Sequence, residues 1–231
     1  VSVRWEQPRG ADAGRRRARA HALRATRLLE TPDDADRADL LGPSARKQGL
    51  AVRAFFAVAL KDALRAEVAR LACELAARPD GDGVRWVAAE SYHLTLRFLG
   101  NVAASEVSAL AARAQDSLAG SSAFALRLGA PIALPTARRP RVIALAAQPE
   151  DALGDLAARL ERAAVAHGVA PEPRPFRAHL TIGRVRAHRI PALAAAAPTA
   201  AQPVSEVVLF RSDLGPDGSR YSALATLPLG A

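Results

Sequence analysis

The sequence predicts an α+β chain folded into two similar lobes. Three observations lead there. Short apolar runs suited to strands alternate with longer stretches whose apolar residues recur every three to four positions, as on one face of a helix. A strand–helix–strand pattern occurs twice, with Phe56 and His93 separated by 37 residues, Val142 and His179 again by 37, and the two copies by 86. Apolar residues make up 50% of the 231, enough to build a core around two such units, and matching positions on the two lobes should meet across their junction.

The elements follow in order. "VRAFFAVAL", residues 52–60, reads as a buried strand, and the next segment sets Leu64, Val68, Leu71, Ala72 and Leu75 on one helical face. "VRWVAAESYHLTLRFLG" gives a short strand, a turn and the strand that carries His93. Val107, Leu110, Ala111, Ala114 and Leu118 mark a second helix, before a strand at "FALRLG", residues 124–129. The pattern then restarts. "RVIALAA", residues 141–147, is a strand, "PEDALGDLAARLERAAVAHG" a helix with Leu153, Leu156, Ala157 and Leu160 inward and Gly168 at C′, and "HLTIGRV" the strand of His179. "VSEVVLFRSDL" and "SRYSALATLPL" supply two last strands around a turn at "GPDGS".

Residues 1–48 differ in character. They mix charge blocks with Gly and Pro and hold 11 Lys/Arg against 7 Asp/Glu, with a basic run at Arg15, Arg16, Arg17 and Arg19. Such a composition reads as a disordered basic extension, mostly a solvated tail, ahead of one two-lobed domain spanning 49–231. The chain opens on Val1 and contains no Met, which leaves open whether this extension is translated.

The net charge of +9 comes almost wholly from arginine, whose planar fork suits phosphate oxygens, so an anionic partner fits. Cys73 is the single cysteine, which rules out a disulfide framework and a cysteine zinc site and fits a reducing cytoplasm. No apolar run approaches the roughly 20 residues of a membrane span, and the N-terminus lacks the apolar core of a signal peptide. A soluble intracellular protein is expected.

Residues i and i+2 of a strand share a face, so His93 with Thr95, and His179 with Thr181, each present an imidazole beside a hydroxyl. With seven threonines in the chain, a given histidine has one two places on about 3% of the time by chance. Two such pairs on repeated strands therefore point to chemistry over packing. Facing histidines suit in-line displacement at phosphorus: one imidazole takes a proton from the attacking oxygen, the other gives one to the leaving oxygen, and an ordinary pKa of ~6.5 permits both tasks. The hydroxyls would hold the non-bridging oxygens, and Arg184, near the end of the His179 strand, would add a cationic clamp. A metal site is not expected, because two strand histidines flanked by Thr lack the third and fourth ligands. His167, at a helix end, should interact with that helix's dipole, His188 and His21 should lie at the surface, and Phe56 and Tyr92 should pack in the core.

The tetrapeptides "HLTL" and "HLTI", within "RWVAAESYHLTLRFLGNV" and "RPFRAHLTIGRVR", resemble the paired signature motifs of the 2H phosphoesterase superfamily, in particular its RNA 2′,3′-cyclic phosphodiesterase branch, also described as 2′-5′ RNA ligases. The likeness extends from "VRAFFAVAL" to "LGPDGSRYSALATLPL", about residues 50–229. It implies antiparallel sheets lining a central cleft with helices outside, catalytic His93 and His179, phosphate-binding Thr95, Thr181 and Arg184, and no metal or cofactor. Gly183 departs from the pattern, since larger residues are common there. The implied reaction is metal-independent opening of a terminal RNA 2′,3′-cyclic phosphate to a 2′-phosphomonoester. His93 is taken as acid and His179 as base, although the residues themselves support the pair and not the order. The reverse reaction, 2′-5′ ligation, and a non-catalytic module that holds RNA ends are the alternatives. A monomer is expected, with RNA or cyclic nucleotides as the partner and no membrane.

Overall fold

A computed structural model describes residues 51–187, 189–215 and 218–230. The expectations for residues 1–48, His21 and His188 lie outside these. The described chain runs β1 (Ala51–Ala59), α1 (Asp62–Ala76), β2 (Val84–Trp86), β3 (His93–Ala103), α2 (Val107–Ser117), β4 (Phe124–Thr136), β5 (Arg139–Gln148), α3 (Glu150–Ala166), β6 (His179–Val185), β7 (Gln202–Val204), β8 (Glu206–Gly215) and β9 (Gly218–Pro228). The strands form two antiparallel sheets, ordered β3-β1-β8-β9 and β2-β6-β5-β4-β7. None of the described helices is long and apolar enough to cross a membrane.

The periodicity located the helices well. Leu64, Val68, Leu71, Ala72 and Leu75 of α1 are all buried, as are Leu153, Leu156, Ala157 and Leu160 of α3. Gly168 follows α3 with φ +94°, and the N–H groups of Val169 and Gly168 donate to the carbonyls of Ala164 and Val165, which closes the helix as a Schellman motif. Two strands differ from expectation. β4 continues past residue 129 to Thr136, and β7 was not anticipated. Pro131 and Pro135 break the apolar alternation of β4, and its register against β5 shifts beside each of them.

The lobes are built with an exchange. α1 leaves β1 of the first sheet but lies against β2 and β6 of the second, whereas α3 leaves β5 of the second sheet and lies chiefly against β3 of the first. Each repeat unit therefore covers the histidine strand of the other. Side chains within α1 and just beyond it reinforce the crossing. Glu67 accepts hydrogen bonds from the Thr199 and Ala200 N–H groups, and Arg78 donates to the carbonyls of Ala192 and Ala194. These backbone bonds hold the Glu67 carboxyl below its ordinary pKa.

Candidate active site

His93 and His179 open β3 and β6, the strands along which the two sheets approach each other. Each ring is anchored the same way. Nδ1 of His93 lies 2.8 Å from the Ser91 carbonyl oxygen, and Nδ1 of His179 lies 2.7 Å from that of Arg177. A carbonyl oxygen can only accept, so Nδ1 carries the proton in both rings and Nε2 is left for chemistry. Ser91 and Arg177 are themselves 86 residues apart, so the repeat preserves the anchoring bond along with the histidines.

A second shared device sets what else faces the site. In β3, Thr95 pairs with Ala57 and Arg97 with Phe56, leaving Leu96 as an extra residue; in β6, Thr181 pairs with Ala144 and Gly183 with Ile143, leaving Ile182. These are matched β-bulges at equivalent positions. In an unbroken strand, residues five apart point to opposite faces. The bulge restores them to the same face, and Arg184 thereby joins His179 and Thr181, while its counterpart Phe98 joins His93 and Thr95. Among the described residues, neither threonine hydroxyl nor the Arg184 guanidinium has a hydrogen-bond or ion-pair partner within the protein.

The departure at Gly183 has a local cause. A Cβ there would fall 2.5 Å from Val84 Cγ1 and 3.3 Å from Trp86 Cε3, so the Val84 side chain, with the Trp86 indole beside it, fills the space a larger residue would take. Trp86 is fixed in turn by its Nε1–H donating to the Gly81 carbonyl at 3.0 Å.

The two histidines sit in unlike surroundings. The His93 ring lies 4.8 Å from Phe55 and 4.8 Å from Tyr221, the latter edge-on, and Phe55 also contacts Phe98 and Phe210. Burial pushes the His93 pKa down; the Ser91 carbonyl partly opposes this, and the charges of Arg184 and His179 push it further down. Arg184 and His179 therefore both lie within electrostatic reach of His93. Burial likewise lowers the His179 pKa, opposed by the Arg177 carbonyl and aided by the Arg177 charge. Both rings thus favour the neutral form.

Behind the site, Arg97 projects from the opposite face of β3 and is 6% exposed. Its guanidinium pairs with Glu161 of α3, lies 4.0 Å from the Glu172 carboxylate, and donates to the Ala170 carbonyl. Glu172 closes the group by donating its backbone N–H to Glu161 at 2.9 Å. Ala170 and Glu172 belong to the segment that delivers His179, so one buried arginine ties the His93 strand to the approach of the His179 strand.

The structure brings together His93, His179 and Arg184, with Thr95 and Thr181 on the same strand faces as their histidines. It leaves His167 apart: Nε2 of that ring lies 3.3 Å from a Glu106 carboxylate oxygen, an interaction beyond the expected helix dipole. Phe56 and Tyr92 are core residues, and burial raises the Tyr92 pKa to about 12. Sequence reasoning missed the aromatic set of Phe55, Phe98, Phe210 and Tyr221. Phe98 was within reach, because it occupies the repeat position of Arg184.

Comparison with known proteins agrees with the two-sheet α+β fold. Residues 60–216 match the family model of the 2′-5′ RNA ligase superfamily. The chain is 32% identical over 185 residues to the RNA 2′,3′-cyclic phosphodiesterase of Methanothermobacter thermautotrophicus, covering 77% of this chain and 99% of that protein. It is 30% identical over 135 residues to the protein of the same name from Thermotoga maritima, covering 58% and 71%. Among solved structures, E. coli LigT complexed with 3′-AMP superposes with a TM-score of 0.67 at 29% identity, covering 79% of this chain and 100% of that one.

Proposed function

Because the chain belongs to the 2′-5′ RNA ligase superfamily, we propose that it hydrolyses the 2′,3′-cyclic phosphate at the end of an RNA strand to a 2′-phosphomonoester. The observation that carries the reading is the matched pair of Nε2 atoms, each freed by the same backbone anchor and each flanked by an unpartnered threonine on its own strand. Two equivalent proton-transfer groups on opposing strands suit attack on one side of phosphorus and departure on the other.

In this reading His179 acts as base. Burial and the neighbouring Arg177 favour its neutral form, whose Nε2 lone pair takes the proton of the attacking water. As the water oxygen bonds to phosphorus and the P–O3′ bond breaks, His93 delivers its Nε2 proton to O3′. The imidazolium this requires is disfavoured in the free protein by burial and by Arg184, and the incoming phosphate charge offsets that penalty. Thr95, Thr181 and Arg184 hold the non-bridging oxygens, where charge collects. Proton exchange with solvent then returns both rings to their starting states. One chain supplies every one of these groups, which supports a monomeric enzyme, and the lone exposed Cys73 suits a reducing cytoplasm.

Purified protein incubated with 2′,3′-cyclic AMP, and with a short RNA bearing that end, should form a 2′-phosphate visible by phosphorus NMR, equally with and without chelator. Predominant 3′-phosphate would refute the orientation, rescue by a divalent metal after chelation would refute the all-side-chain site, and binding without turnover would leave an RNA-end-binding module. The pH profile gives a separate check. Since both histidine pKa values are lowered, kcat/KM should peak below pH ~6.5, the ordinary imidazole value. The alkaline limb of kcat should lie at higher pH than that of kcat/KM, because bound phosphate stabilises the imidazolium. An optimum in the range of lysine or tyrosine titration would exclude the histidine pair.

A further inference from the structure

The edge of the second sheet carries cations that the reaction above does not use. In the pairing of β2 with β6, Arg85 stands directly opposite Arg184, while the flanking Val84 and Trp86 stand opposite Val185 and Gly183. Val84 is buried and Trp86 packs on Gly183, so these turn inward and Arg85 shares the site face with Arg184. Arg186, two residues beyond Arg184, extends the same face, its N–H donating to the Gly83 carbonyl at 2.9 Å. All three arginines are exposed, and among the described residues none of the three has a carboxylate partner. Like charges directly opposite one another destabilise a sheet pair. This edge therefore holds a row of uncompensated guanidinium groups that an anion would relieve.

We propose that Arg85 and Arg186 bind the phosphodiester preceding the cyclic-phosphate end, which makes the β2–β6 edge a subsite for the penultimate linkage of an RNA strand. The inference rests on the proposed function, since it starts from a terminal phosphate held at Arg184. Directly paired residues have Cβ atoms ~4.5–5.5 Å apart, and two long arginine side chains can spread from that base to meet successive phosphates. The planar fork engages phosphate oxygens in two-pronged fashion. β2 is the outermost strand of its sheet, so a chain passing over Arg85 leaves the protein without obstruction from a further strand. Selection of a strand over a free cyclic nucleotide would then reside in these two residues and not in the reacting groups.

The test compares kcat/KM for 2′,3′-cyclic AMP and for a pentanucleotide ending in the same cyclic phosphate. Arg85→Ala and Arg186→Ala should each lower the ratio of RNA to mononucleotide activity by roughly five- to tenfold, and each should reduce the salt slope of the RNA reaction by about 1. Arg184→Ala should lower both substrates alike. Fluorescence anisotropy of a labelled pentanucleotide with a 3′-phosphate should weaken by the same factor in the Arg85 and Arg186 variants. That readout needs no turnover, so a wild-type protein lacking phosphodiesterase activity would sink the proposed function while binding still judged the subsite. An unchanged ratio with unchanged binding would reduce the two arginines to surface charges. Equal losses on both substrates would show that Arg85 grips the terminal phosphate itself, which overturns the subsite as well.

Discussion

Replacing either His93 or His179 by Ala should lower turnover of a 2′,3′-cyclic phosphate by at least ~10²-fold, because one positioned proton transfer contributes about 10²–10⁴. The double variant should be little worse than the worse single one. The two rings act on one displacement, and once either is missing the other has no in-line partner to work with. KM should change far less than kcat, since the threonine hydroxyls and Arg184 remain to hold the phosphate. Steady-state kinetics on the three variants, with circular dichroism to confirm folding, decide the matter. A single variant with near-wild-type kcat would remove that histidine from the mechanism, and multiplicative losses in the double variant would mean that the rings serve separate steps.

Loss of the buried arginine behind the site should destabilise the fold substantially. Arg97→Met leaves Glu161 and Glu172 without their shared cation, and breaking a buried ion pair from one side costs about 3–5 kcal/mol. The lower end applies, because both carboxylates retain some contact with water, at 29% and 24% side-chain exposure. At roughly 2–4 °C per kcal/mol for a chain of this size, the melting temperature should fall by about 6–12 °C. Adding Glu161→Gln to Arg97→Met should recover part of the loss by removing one stranded charge. A melting temperature unchanged in Arg97→Met would show that the cluster contributes nothing net, and no recovery in the double variant would assign the cost to lost packing.

Much of this molecule is legible in its sequence because its two strongest signals are local. The His-x-Thr pairs depend only on strand parity, and the faces of α1 and α3 only on helical spacing, so both survive without knowledge of partners. What escaped depends on partners. The bulges at Leu96 and Ile182 exist relative to neighbouring strands, and without them parity would turn Arg184 away from His179. The place of Arg184 near the end of the His179 strand suggests it, and the bulge explains how it comes to face the same way. Phe55 and Phe56 are adjacent and both fully buried, one in the core and one beneath the aromatic layer at His93, a distinction that apolar character cannot reveal. Arg97 reads as an ordinary basic residue until Glu161 and Glu172, far along the chain, are folded against it.

The exchange of helices between the repeat units bears on how the protein must be made. During synthesis α1 emerges with Leu64, Val68 and Leu71 turned toward a sheet of which only the three-residue β2 follows promptly. The other strand it covers, β6, is not complete until Val185. At ~5–20 residues per second the ribosome needs about 5–20 s to travel that distance, far longer than a helix takes to form. The leading half of the chain therefore waits with an apolar helix face and an uncovered histidine strand, and neither repeat can complete its core before the other arrives. Folding is deferred to a late, collective event, and a chain truncated after its first repeat would be left as an open partner seeking a second copy of itself.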